Sequence, residues 1–140
     1  MVERLSLKQQ DAARALGALR DILAQPYSVI VRDAAIQRFE FTFEAVWKYS
    51  REFLKNREGI VCNSPKSCFR ELFSVGNLSE EETLTLLEMT DDRNLTSHTY
   101  KEEVSQLIYN KLPLYSQALT GLFNRLLPGE NQEPATPEIR

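Results

Sequence analysis

Arg93, His98 and Tyr100 are the residues of this chain whose types and spacing could do chemistry together. They lie within Asp91-Asp92-Arg93-Asn94-Leu95-Thr96-Ser97-His98-Thr99-Tyr100, which holds the only His of the 140 residues. Arg presents a planar fork to phosphate oxygens and keeps its charge at any physiological pH. A His side chain exchanges a proton near neutrality, a contribution typically worth ~10²–10⁴ in rate. Tyr offers a hydroxyl that accepts a transferred group or orients a ligand. Ser97 is four residues after Arg93 and shares its face if the segment is helical. Spacing alone leaves a plainer reading open, in which His98 answers a helix C-terminal dipole and Arg93 pairs with the preceding acids.

The elements that must position this cluster are helices. Glycine is scarce, with five in the chain, and β-branched runs are short. A first helix is expected from about Ser6 to Gln25, ended by Pro26. The second, from about Ser28 to Arg57, carries Ile36, Phe39, Phe43, Val46, Trp47, Ser50, Phe53 and Leu54 on one face, with Gly59 as its stop. Ser64-Pro65 starts a short helix with Cys68, Phe69, Leu72 and Phe73 inward. Ser79 and Glu82 form a capping box for the next, whose Leu84, Leu87 and Leu95 are expected inward. The last helix spans about Lys101 to Leu127 on a stripe of Val104, Leu107, Ile108, Leu112, Tyr115, Leu119, Leu122 and Leu126, with a kink expected at Pro113. The expected fold is all-α: an up-and-down antiparallel bundle of four long helices plus one short one, over residues 1–127. Residues 128–140 read as a mobile tail. The cluster then falls where the fourth helix ends and the fifth begins.

Composition excludes several functions. The length suits one domain. One His and two Cys fall short of the four donors of a Cys/His metal site. A net charge of -3 argues against a general nucleic-acid coat protein. That charge divides unevenly: residues 1–78 hold 12 basic and nine acidic side chains, and residues 79–140 hold five and 11. Lys48, Arg51 and Lys55 share a helix face, a row that reads either as a solvated face or as the lining of a phosphate-binding groove. No run approaches the ~18 apolar residues of a membrane span, and the N-terminus lacks an apolar leader, so the expected setting is cytoplasmic. Cys62 and Cys68 are then expected to be free thiols.

Arg93, four residues, His98, one residue and Tyr100 resemble the arginine–histidine–tyrosine motif of the HEPN superfamily (higher eukaryotes and prokaryotes nucleotide-binding). Ile36-Gln37-Arg38-Phe39-Glu40-Phe41-Thr42-Phe43-Glu44 and Val46-Trp47-Lys48, with Asp92-Arg93-Asn94, look like the nucleotidyltransferase substrate-binding family within it. The resemblance runs from about Ser6 to Leu126. It implies a five-helix bundle, usually a homodimer, that acts as partner and substrate-binding subunit of a minimal nucleotidyltransferase in a toxin–antitoxin-like pair. It implies Tyr100 as acceptor of AMP, Arg93 and His98 as residues of a metal-independent endoribonuclease, and Asp92, Asn94 and Ser97 as supporting groups. Arg38 and Lys48 fall in the matching second-helix block and are expected near the binding cleft. No cofactor is implied in the chain itself; ATP and Mg²⁺ would be used by the partner enzyme. Two function classes follow, a binding subunit that presents Tyr100 and a ribonuclease toxin acting on RNA.

Overall fold

Apolar side chains recur at helical spacing throughout, and the computed structural model, described over residues 2–128, is built of helices. The elements are α1 (Val2–Leu23), α2 (Val29–Phe53), a π-helical turn (Leu54–Glu58), α3 (Pro65–Ser74), α4 (Glu80–Leu95), a 3₁₀ turn (Thr96–His98) and α5 (Glu102–Leu126). The short connections fold them into an up-and-down bundle in which α2 packs on α1, α3 and α5, and α4 packs on α3 and α5. Among the described residues no helix is long and apolar enough to cross a membrane. Residues 129–140, most of the expected tail, lie outside the described residues.

The caps are those the sequence signals. Ser28 Oγ accepts from the Val31 N–H at 3.0 Å, and Ser64 Oγ accepts from the Ser67 N–H at 3.2 Å with Pro65 in the first turn. Ser79 and Glu82 satisfy one another's backbone N–H groups at 3.1 and 2.8 Å. The Glu82 carboxyl lies below the usual carboxylate range, chiefly through the Ser79 N–H and further through Arg125. Gly59, at φ 70°, closes the π-helical turn in the left-handed region.

The core is the α2 stripe. Phe39, Phe43, Val46, Trp47, Ser50, Phe53 and Leu54 are all buried. Phe39 stacks on Tyr115 of α5, and Phe43 meets Phe69 of α3 edge-on. These contacts fix where α3 and α5 sit against α2; α4 packs on both, and that places Arg93.

Several expectations need correction. α1 begins at Val2, ahead of Ser6, and α2 gives way to the π-helical turn at Leu54. Cys62 and Cys68 are joined as a disulfide. The chain reversal at Gly59 and the entry into α3 bring their Cα atoms to 5.3 Å, a geometric fact that a compartment argument could not anticipate. On α4, Leu84 and Leu95 are exposed and Leu87 is only partly covered, while Thr83, Leu86, Met89, Thr90 and Asp92 are buried. The helix is rotated because its threonines can be buried cheaply: the Thr83 and Thr90 hydroxyls each donate to a carbonyl four residues back, at 2.8 Å. Phe73 and Leu107 are likewise exposed. The position of Pro113 inside α5 is as read.

Candidate functional site

Arg93 occupies the last turn of α4, with its side chain 28% exposed. Its guanidinium turns toward α2, where Nη1 lies 3.8 Å from Glu40 Oε2 and Nη2 lies 3.5 Å from Glu44 Oε2. Glu40 and Glu44 are four apart on one helix face, so they approach the same cation from adjacent turns. Thr96, buried in the 3₁₀ turn, completes the arrangement. Its hydroxyl accepts from Arg93 Nη1 at 3.2 Å and lies 2.5 Å from Glu40 Oε2, to which it can donate. Glu44 is itself held: its other oxygen accepts from Trp47 Nε1 at 3.1 Å and faces Lys48 Nζ at 3.8 Å. Arg93 Nε is buried without a partner. Both ion pairs exceed the ~2.7–2.9 Å of a close charge-assisted bond, so the guanidinium is caged but not saturated.

His98 closes the 3₁₀ turn and is exposed. Its Nδ1 lies 3.5 Å from the Tyr100 hydroxyl, and the two rings meet edge to face with centroids 5.9 Å apart. Tyr100 is 76% exposed. Its backbone sits in the junction that a hydrogen bond from Lys101 N–H to the His98 carbonyl tightens. The following turn is anchored from α2: Arg32, a nearly fully buried guanidinium, donates to Glu102 Oε2 at 2.8 Å and to Gln106 at 3.4 Å. That bond to Glu102 raises the Arg32 pKa against its burial, and correspondingly holds the Glu102 carboxyl low. The start of α5, and the tyrosine before it, is thus tied to the start of α2.

The sequence-expected residues divide into groups. His98 and Tyr100 are adjacent. Arg93 stands with Glu40, Glu44 and Thr96, and among the described residues no hydrogen bond joins it to His98. Lys48 reaches this group through Glu44. Asn94 lines a cleft of about 330 Å³ with Arg93, Glu44, Lys66 and Ser64. Ser97 only donates back to the Asn94 carbonyl, at 3.2 Å. Asp92 faces the other way. It is buried against α5, where it accepts from the Tyr115 hydroxyl at 2.5 Å and pairs with Lys111 at 3.1 Å. Burial and the bond to Asp92 push the Tyr115 phenol well above its usual pKa, and Lys111 is raised because its carboxylate partners outweigh its desolvation. Arg38 is also elsewhere: it donates to the Ala18 carbonyl of α1 at 2.8 Å. Sequence reading placed Glu40 and Glu44 off the apolar stripe without a role and overlooked Thr96. The signal for Thr96 was its position three residues after Arg93, where a last-turn side chain can fold back.

Chemically, the site offers an exposed phenol with an imidazole beside it and, on the last turn of α4, a guanidinium held by two carboxylates at 3.5 and 3.8 Å. Among the described residues no group of three or more His, Cys, Asp or Glu is placed to hold a metal ion.

Comparison with known proteins bears on this geometry. The family described as nucleotidyltransferase substrate binding protein like matches residues 7–127. No curated protein matches the chain. A solved structure of a Thermus thermophilus protein is similar at 42% identity and a TM-score of 0.80, over 84% of this chain and 99% of that one. A Shewanella oneidensis HEPN toxin, solved tri-AMPylated and in complex with an MNT antitoxin, shares the fold at 13% identity and a TM-score of 0.70, over 87% and 95%. A Haemophilus influenzae protein described as having the fold of a substrate binding domain of a nucleotidyltransferase shares it at 22% identity and a TM-score of 0.60, over 90% and 98%.

Proposed function

The chain belongs to the nucleotidyltransferase substrate binding protein like family, and we propose that it is the binding subunit of a minimal nucleotidyltransferase, to which it presents Tyr100 as acceptor of AMP. The observation that carries this reading is the exposure of Tyr100, with its hydroxyl 3.5 Å from His98 Nδ1. A tyrosine at a rigid helix junction, clear of the core, is accessible to a second enzyme. The tri-AMPylated state of the similar HEPN toxin supports the same chemistry here. In the reaction, Tyr100 Oη attacks the α-phosphorus of ATP held by the partner. The bond from that phosphorus to the bridging oxygen of the β-phosphate breaks, and pyrophosphate leaves with its Mg²⁺. The phenolic proton passes to His98 Nδ1 or to water.

A second reading is favoured by the caged cation. Arg93 is held by contacts of 3.5 and 3.8 Å that an RNA phosphate could displace, and His98 is an exposed proton carrier. On this reading the chain is a metal-independent endoribonuclease, and a homodimer supplies the two imidazoles that acid and base catalysis need. AMP on Tyr100 would then place bulk and negative charge beside His98 and silence it.

The test is coexpression with the nucleotidyltransferase encoded nearby. The binding-subunit reading expects AMP on Tyr100 only when the partner and ATP are present, and none in Tyr100→Phe. The toxin reading expects growth arrest without the partner, relieved by Arg93→Ala or His98→Ala. Copurification with neither modification nor arrest would leave a binding subunit without acceptor chemistry.

A further inference from the structure

The basic row Lys48, Arg51, Lys55 has no part in the site above beyond Lys48. Arg51 and Lys55 instead stand at a cleft of about 250 Å³ where α1 begins, α2 passes into its π-helical turn, and the loop to α3 returns. Arg4, Glu52 and Asn63 share the cleft, and Arg4 and Lys55 also line a hollow of about 590 Å³ with Glu3, Leu7, Lys8 and Asp11. π-helical turns recur at functional positions because they re-aim side chains out of the regular helical rows.

At the smaller cleft three basic side chains, Arg4, Arg51 and Lys55, stand with one carboxylate, Glu52. Arg4 Nε lies 3.8 Å from Glu52, whose side chain is 7% exposed. Arg51 lies over the Trp47 ring, 5.0 Å from its centroid, which orients the guanidinium without neutralising it. Among the described residues, neither Arg51 nor Lys55 has a carboxylate within the 4.0 Å of an ion pair. Arg51 and Lys55 are four apart in sequence, and an anion between two unpaired cations removes their mutual repulsion. They persist in a chain whose net charge is -3.

We propose that this cleft binds phosphate, with Arg51 as the fork and Lys55 as the point charge. Either the backbone of a single-stranded RNA or the phosphates of a free nucleotide would supply it. Along α2, Arg51 is seven residues past Glu44, ~10 Å of helix, with Lys48 between. The proposal stands whether or not Tyr100 accepts AMP.

The experiment measures binding of the full chain to a short labelled single-stranded RNA and, separately, to ATP, from low to physiological salt. Wild type is expected to bind at least one. Arg51→Gln with Lys55→Gln should weaken that binding several-fold. If RNA is the ligand, the double change should also flatten its salt slope by ~1.4, at ~0.7 per lost phosphate contact. Arg51→Lys, which keeps the charge and loses the fork, should weaken binding with the slope retained. Arg20→Gln with Arg70→Gln, the same charge change on other exposed positions, should bind as wild type does. Binding of RNA alone assigns the backbone; binding of ATP alone assigns the nucleotide. Three results would overturn the proposal: no binding of either ligand by wild type, undiminished binding by the Arg51/Lys55 variant, or equal loss in the Arg20/Arg70 variant.

Discussion

The Tyr100 hydroxyl lies 3.5 Å from Nδ1 of His98, two residues earlier in the same exposed turn, while Arg93 is turned away toward Glu40 and Glu44 of α2. The residue proposed as acceptor and the cation proposed to meet phosphate are therefore separately anchored. Changes in one group should leave the other standing.

Tyr100→Phe should fold as wild type does. The ring is 76% exposed and its one polar contact is at the outer limit of a hydrogen bond, so the change in stability should stay within ~0.5 kcal/mol, as for most surface substitutions. Matching urea midpoints for the two proteins would check this.

Opening the cage should act on Arg93 without touching Tyr100. Glu44→Gln removes one carboxylate from Arg93 and leaves an amide for Trp47 Nε1. If the second reading holds, RNA binding at low salt should tighten in Glu44→Gln and weaken in Arg93→Ala. Filter binding or anisotropy reads both.

The Asp92–Tyr115 bond should govern stability and little else. Tyr115→Phe leaves a buried carboxylate with Lys111 as its remaining partner among the described residues, at a cost of ~1–3 kcal/mol. A pH dependence follows. The Tyr115 phenol is raised by burial and by Asp92, and Tyr49 is pushed up to about 12 by burial. A raised phenol contributes stability that is fully present below its unfolded value, ~10, and is lost as pH rises through the folded value. Urea midpoints should fall from pH 9 to pH 11, and less steeply in Tyr115→Phe.

The disulfide should stabilise the loop that frames the clefts. Closing the short ring between Cys62 and Cys68 is worth ~2 kcal/mol on chain entropy. The melting temperature should drop on adding dithiothreitol, and Cys62→Ser should melt at the reduced temperature and ignore the reagent.

What the sequence made legible follows from how each feature is encoded. The α2 stripe and the capping box of Ser79 and Glu82 rest on spacing within one helix, and both are present as read. The rotation of α4 was hidden because hydropathy favours Leu84 and Leu95 over Thr83 and Thr90, whereas back-bonded hydroxyls let the threonines go inside. The resemblance picked out Arg93, His98 and Tyr100, but the cage depends on how α3 and α5 hold the end of α4 beside α2, a relation between residues 56 apart in the Thr96–Glu40 pair. Asp92 was grouped with Arg93 through the resemblance; consecutive helical positions point about 100° apart, and it faces α5 instead.

The central claim is that Tyr100 is the acceptor. Its most direct test is intact-mass and peptide spectrometry of the chain incubated with the minimal nucleotidyltransferase proposed as its partner, ATP and Mg²⁺. The predicted result is a gain of one or more AMP units mapping to Tyr100, absent without ATP and absent in Tyr100→Phe. AMP on another residue, or an unmodified chain beside an active partner, would contradict it.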